Sequence, residues 1–236
     1  MSEERKVAVI TGASQGIGAA LVKAYRDRNY RVVATSRSIE QSSDADVVAV
    51  AGDVGDPATA RRVVAEAMAR FGRIDTLVNN AGIFVAKPFT DYTQEDFDGK
   101  IATNLGGFFH FSQAVLAEMV KRGSGHIVSI TTSLTDNPVA GVPTGLANLT
   151  KGGINSATKE LAIEYATQGI RVNAVSPGVI KTPMHAPESL DFLAGLHPVK
   201  RMGEIRDVVD AVLYLESAGF VTGEILHVDG GQSAGH

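Results

Sequence analysis

Short β-branched runs alternate with longer segments of helical period along the chain, and that rhythm restricts the fold more than any other feature. The runs are Val7–Ile10, Val32–Thr35, Val47–Val50, Thr76–Val78, His126–Ile130, Arg171–Val175 and Ile225–Val228. Helical periodicity fills the stretches near 17–28, 58–71, 94–121, 147–168 and 205–216. Strands that alternate with helices connect by right-handed crossovers into a mostly parallel sheet covered on both faces. The expectation is therefore an α/β, doubly wound, seven-stranded sheet forming one domain over residues 1–236. No repeat, low-complexity tract or Pro/Ser-rich linker marks a second domain. One stretch breaks the rhythm, from Thr182 to Gly203, with prolines at 183, 187 and 198. A loop of that length in a compact domain is usually functional, so 182–203 is read as a substrate lid.

Composition narrows the functional classes. With 22 basic against 26 acidic side chains the net charge is -4, which argues against a nucleic-acid surface. The chain has no cysteine, so disulfides and thiolate metal sites are excluded. The six histidines (110, 126, 185, 197, 227, 236) show no metal-ligand spacing, and no metal is expected. The charged start Met1–Lys6 runs straight into an apolar strand, and no apolar run is long enough to span a bilayer. A cytoplasmic protein with no membrane partner is expected.

The first strand runs into Thr11-Gly12-Ala13-Ser14-Gln15-Gly16-Ile17-Gly18 and then a helix. Glycines at 12, 16 and 18 allow a tight turn and close approach to a pyrophosphate, and the helix N-terminus supplies N–H groups and partial positive charge. The second strand ends in Ser36 and Arg37, where a site for NAD would carry an Asp or Glu on the ribose 2′-hydroxyl. No carboxylate there repels a 2′-phosphate and a guanidinium can pair with it, so NADP(H) is favoured over NAD(H), although Arg37 also reads as a solvated surface charge. Asp53, in Gly52-Asp53-Val54 after the third strand, could accept from the adenine amino group.

In addition, Asn79-Asn80-Ala81-Gly82, Asn104, Thr131-Thr132-Ser133, Lys151, Pro177-Gly178-Val179-Ile180-Lys181-Thr182 and the tail from Val221 to Gly231 stand in order along the chain. With the glycine loop, this set resembles the short-chain dehydrogenase/reductase family over nearly the whole length. The resemblance implies a Rossmann-type fold and an oxidoreductase that moves a hydride between a nicotinamide dinucleotide and a small-molecule substrate. It implies that Gly12, Ser14, Gly16, Ile17 and Gly18 form the pyrophosphate loop, with Ser36, Arg37, Asp53 and Val54 around the adenosine. Asn80, Ala81 and Gly82 would line the ribose, and Lys151 would bond the nicotinamide ribose. Pro177, Gly178, Ile180 and Thr182 would hold the carboxamide and nearby phosphate. Asn104, Lys151 and a hydroxyl from Thr132 or Ser133 would form the catalytic set, Ser133 slightly preferred. The resemblance also implies a homo-oligomer, a dimer paired through the helices after Asn104 and Lys151, or a tetramer.

The family's proton donor is a tyrosine four residues before the lysine, and that position here is Ala147. None of the five tyrosines (25, 30, 92, 165, 214) lies nearby in sequence, and only Tyr92 is a candidate to reach in. A positioned general acid contributes ~10²–10⁴-fold, whereas orientation alone supplies roughly 7–11 kcal/mol. Its loss therefore weakens ketone reduction without forbidding hydride transfer. An imine or a conjugated alkene would depend on the acid least, with Lys151 as a substitute donor. The competing reading is a catalytically inactive NADP(H)-binding sensor or partner subunit, and a dehydratase or isomerase is a third. The Phe108–Phe111 stretch is read as core or subunit interface, and His185 and His197 as lid residues for which contact with substrate is the minor reading.

Overall fold

The computed structural model describes residues 5–183 and 190–235. Seven strands form one parallel sheet: β1 (Val7–Thr11), β2 (Arg31–Ser36), β3 (Val47–Ala51), β4 (Thr76–Asn79), β5 (Gly125–Ile130), β6 (Ile170–Pro177) and β7 (Ile225–Val228). Their order is β3-β2-β1-β4-β5-β6-β7, so the winding reverses between β1 and β4. That reversal opens a crevice at the carboxyl ends of the strands, where ligands bind in open α/β sheets.

The central strands read as continuous apolar runs because both of their faces are covered. Alternate residues of β1 enter different cores. Ala8 and Ile10 pack with Val32, Val78, Val128 and Val175 beneath α1 (Gly16–Asp27) and α7 (Ile205–Ser217). Val7 and Val9 pack with Val33, Leu77, Ile127 and Val172 on the opposite face. That second core is closed by α2 (Pro57–Phe71), α4 (Gly107–Arg122) and α5 (Gly145–Tyr165). Side chains alternate faces along a strand, so neither core tolerates a polar residue at these positions.

Local sequence sets the helix ends. Asp56 caps α2 by accepting from Ala58 N at 2.8 Å, Pro57 opens the first turn, and Gly72 closes the helix with φ 71. Helix α3 (Gln94–Lys100) opens on a capping box between Thr93 and Asp96. The continuous helix expected over 94–121 is instead α3, a π-helical turn over Ile101–Gly106 and α4. A π turn is defined by its wider backbone hydrogen bonding, which residue type does not mark, so the pattern alone did not reveal it. Within the 182–203 stretch a short helix α6 (Leu190–Gly195) forms, and the segment begins and ends at one place. Lys181 N donates to Gly203 O at 2.8 Å, and Gly203 N to Val179 O at 3.0 Å. Among the described residues no helix is long and apolar enough to cross a membrane.

Candidate active site

A pocket of about 450 Å³ runs along the carboxyl edge of the sheet, across the winding reversal. It collects nearly every residue singled out from the sequence. Gly12, Ser14, Gly16, Ile17, Ser36, Arg37, Asp53 and Val54 border one half. Asn80, Ala81, Gly82, Asn104, Thr132, Ser133, Lys151, Pro177, Gly178, Ile180 and Thr182 border the rest. Gly18 does not line it. A Cβ there would lie 2.1 Å from Gly12 O, so Gly18 lets α1 pack under the loop.

The loop after β1 depends on its glycines. Gly12 and Gly16 take φ 64 and 57, and a Cβ on Gly12 would also lie 2.9 Å from Ala81 Cα. Asn80 holds this loop from the neighbouring strand: its Nδ2 donates to Thr11 O at 2.9 Å and to Gly12 O at 3.1 Å. Thr11 Oγ1 in return accepts from the N–H groups of Asn80 and Ala81, each at 3.0 Å. The N-cap of α1, Gln15, makes no side-chain capping bond, so the first-turn N–H groups face the pocket without an internal acceptor. Ser36 is buried with an unpartnered hydroxyl, and Arg37 beside it is exposed with no ion-pair partner among the described residues. Asp53 Oδ1 accepts from Gly55 N at 2.9 Å, closing the turn after β3. Glycines that exclude any Cβ, an uncapped helix N-terminus and an unpartnered hydroxyl beside a guanidinium match the donors a dinucleotide phosphate chain needs.

At the other end of the pocket, Lys151 lies in the second turn of α5, and its Nζ donates to Ile130 O at 2.7 Å. Burial pushes its ammonium down to about 8, and no carboxylate offsets that desolvation. Asn104 sits in the π-helical turn, where its amide clamps the 83 loop. Oδ1 accepts from Ile83 N at 3.0 Å, and Nδ2 donates to Ile83 O and Thr150 Oγ1, both at 3.2 Å. Gly82 lies between Lys151 and Asn104, and a Cβ there would be 3.2 Å from Nζ and 3.4 Å from Oδ1. Of the two candidate hydroxyls, Ser133 is fully buried and donates to Gln232 Oε1 at 2.7 Å. Thr132 is half-buried and caps the turn that follows, accepting from Leu134 N at 3.4 Å.

Ala147 also lines the pocket, and no tyrosine does. Tyr92 faces elsewhere: its hydroxyl donates to Val85 O at 2.9 Å, and the ammonium groups of Lys87 and Lys100 lie 5.6 and 5.7 Å from its ring centre. His197 does not border the pocket either. It is buried behind it, with Nε2 accepting from Val179 N at 2.9 Å, so it supports the strand end instead. His185 lies outside the described residues. Phe108 and Phe111 are buried while Phe109 is half exposed, so that stretch serves core and surface. The sequence reading missed Gln232, which borders the pocket from the tail after β7. Its available signal was the Asp229-Gly230-Gly231 turn, whose glycines at φ 61 and 89 fold the tail back toward the site.

The fold and pocket define a class, the doubly wound α/β proteins with a glycine-loop groove at the winding reversal. A family model described as enoyl-(acyl carrier protein) reductase matches residues 12–233, and the chain belongs to the short-chain dehydrogenase/reductase family of oxidoreductases. It is 37% identical over 243 residues to the 3-oxoacyl-acyl-carrier-protein reductase FabG of Escherichia coli, covering 98% of each chain. The solved structure of ElxO with NADP bound superposes with a TM-score of 0.90 at 32% identity, covering 98% of this chain and 100% of that one. A 3-ketoacyl-(acyl-carrier-protein) reductase from Brucella melitensis complexed with NADH gives a TM-score of 0.90 at 30% identity, covering 98% and 99%.

Proposed function

We propose that this protein is an NADP(H)-dependent oxidoreductase that acts on a small carbonyl, imine or conjugated alkene and works without a tyrosine acid. One observation carries the reading: a single pocket joins the Ser36–Arg37 corner to Lys151, Ser133 and Ala147, with no tyrosine on its wall. A nicotinamide dinucleotide supplies hydride chemistry when bound, and the residues present fit it. The Gly12–Gly18 loop and the α1 N-terminus would take the pyrophosphate. Ser36 and Arg37 would take a 2′-phosphate, with Asp53 and Val54 beside the adenine. Asn80, Ala81, Gly82 and Lys151 would hold the riboses, and Pro177, Gly178, Ile180 and Thr182 the carboxamide end. ElxO with NADP bound supports the phosphate-bearing cofactor, while the Brucella reductase with NADH leaves the preference to Arg37.

Ala147 stands where the family resemblance puts the proton donor. Lys151, with its ammonium at about 8, is the acid nearest to neutral in the pocket and can donate a proton at Nζ. The stretch 182–203, closed at its base by Ile180 and Gly203, acts as a lid over the substrate. Phe109 on α4 and Ile163 on α5 are 54% and 76% exposed, which supports pairing of those helices in a cytoplasmic homo-oligomer. Ala147 also favours a second reading, a cofactor-binding subunit that does not turn over.

Oxidation of NADPH by a panel of ketones, iminium ions and enones, with wild type and Ala147→Tyr, separates the two. The enzyme reading expects the wild type to reduce activated acceptors, and the variant to gain ~10²-fold or more on ketones. Tight NADPH binding with no acceptor consumed by either protein would establish the silent subunit.

A further inference from the structure

Beyond the groups assigned above, one buried polar side chain borders the pocket with a hydrogen-bonding atom left over. Gln232 is 1% exposed and opens the short turn Gln232–Ala234 after β7. Its Oε1 accepts from Ser133 Oγ at 2.7 Å, and its Nε2 is buried with no partner. Buried amide N–H groups are almost always paired, because leaving water without a new acceptor is unfavourable. An acceptor brought by a molecule in the pocket that Gln232 borders would complete it.

The tail around Gln232 is fastened, so the carboxamide cannot swing out to solvent. Its backbone carbonyl accepts from Asn137 Nδ2. The Asp229 carboxylate accepts from Gly231 N at 3.0 Å and Ser233 N at 2.8 Å. His227 Nε2 meets Asp136 Oδ2 at 3.0 Å and ties β7 to the turn that carries Ser133. The Ser133 hydroxyl spends its proton on Gln232, so the donor left over at this wall is Gln232 Nε2.

We propose that Gln232 is a substrate-positioning residue whose Nε2–H binds an acceptor oxygen of the substrate, a carbonyl oxygen, at the wall it shares with Ser133. The proposal rests on the oxidoreductase reading and narrows its substrate class to oxygen-bearing acceptors. An amide N–H does not surrender its proton, so Gln232 orients the carbonyl and stabilises charge on its oxygen. The proton comes from another group. This role suits a pocket whose wall holds Ala147 and no phenol.

The test titrates the NADP⁺-loaded protein with cyclohexenone, benzaldehyde and acetoacetamide by calorimetry. At least one probe should bind the wild type and lose roughly tenfold in affinity in Gln232→Leu, with NADP⁺ affinity unchanged. Gln232→Glu has the same shape and keeps the acceptor for Ser133. It should lose the probe at neutral pH and regain it as the new carboxyl is protonated, a pH profile that a merely structural role would not produce. Equal binding to wild type and Gln232→Leu overturns the proposal, as does the absence of probe binding in a protein that takes up NADP⁺. Failure of NADP⁺ itself to bind would instead remove the oxidoreductase reading on which the proposal stands.

Discussion

The two ends of the one parallel sheet treat buried polar groups in opposite ways. At the amino end, Glu216 on α7 is surrounded by donors. Tyr30 Oη reaches it at 2.9 Å, Thr76 Oγ1 at 2.9 Å, His126 Nδ1 at 3.0 Å and Tyr25 Oη at 3.1 Å. The second nitrogen of His126 meets Asn173 Nδ2 at 3.1 Å, so a neutral imidazole satisfies both contacts. Burial alone would raise the Glu216 carboxyl, but these donors hold it down to about 2. Burial likewise lowers His126 and keeps its ring uncharged. At the carboxyl end, Ser36 and Gln232 keep buried polar atoms without partners, and burial pulls Lys151 down toward neutrality. The closed network stabilises the fold, and the open one leaves valences for a ligand. The same architecture provides both because strand amino ends face tight turns and carboxyl ends face the crevice.

Removing the centre of the closed network should have the largest effect. Glu216→Ala leaves four donors without an acceptor and should cost about 3 kcal/mol, a Tm drop of roughly 10 °C in thermal denaturation. NADPH affinity of the folded variant should stay unchanged, and a parallel loss of affinity would break the separation of the two ends. The wild type should show the linked acid dependence. Because the folded carboxyl lies below its ordinary 4.5, its stabilisation is complete above that value and disappears as the pH falls toward about 2.

The next effect belongs to the open end. Arg37→Ala should weaken NADPH binding roughly tenfold and leave NADH nearly untouched in a fluorescence titration, without moving Tm. Equal loss for both cofactors would place Arg37 away from the 2′-phosphate.

The smallest effect tests whether the open end is held at the expense of stability. The folded Lys151 ammonium lies below its ordinary 10.5, so the unfolded chain binds more protons between about pH 8 and 10.5. Stability from this group therefore rises with pH across that window. Lys151→Met should remove the slope and gain on the order of 1 kcal/mol near neutral pH, a Tm rise of a few degrees. An unchanged slope would mean that Lys151 is well solvated.

What the sequence made legible follows the range of the interactions. Strand runs, the glycine loop and the helix starts near 58 and 94 are local patterns, and they agree with the structure within a residue or two. Asn104 and Lys151 were placed by motif order. The π-helical turn around Asn104 was hidden, because its wider backbone hydrogen bonding has no signature in residue type. Gln232 was hidden for a different reason: its partner Ser133 lies 99 residues away, and only the folded tail brings them together. The contacts of His197 were not legible, because a histidine in a proline-bearing loop carries no signal of whether it faces the pocket or the strand behind it.

The most direct test of the account is a calorimetric titration of the wild-type protein with NADPH and with NADH. If the carboxyl end is a built dinucleotide site, both should bind, NADPH roughly tenfold tighter, with a rise in Tm as the open valences are filled. No heat and no change in Tm with either would contradict it, and would show that the unpartnered groups at that end await something other than a nicotinamide dinucleotide.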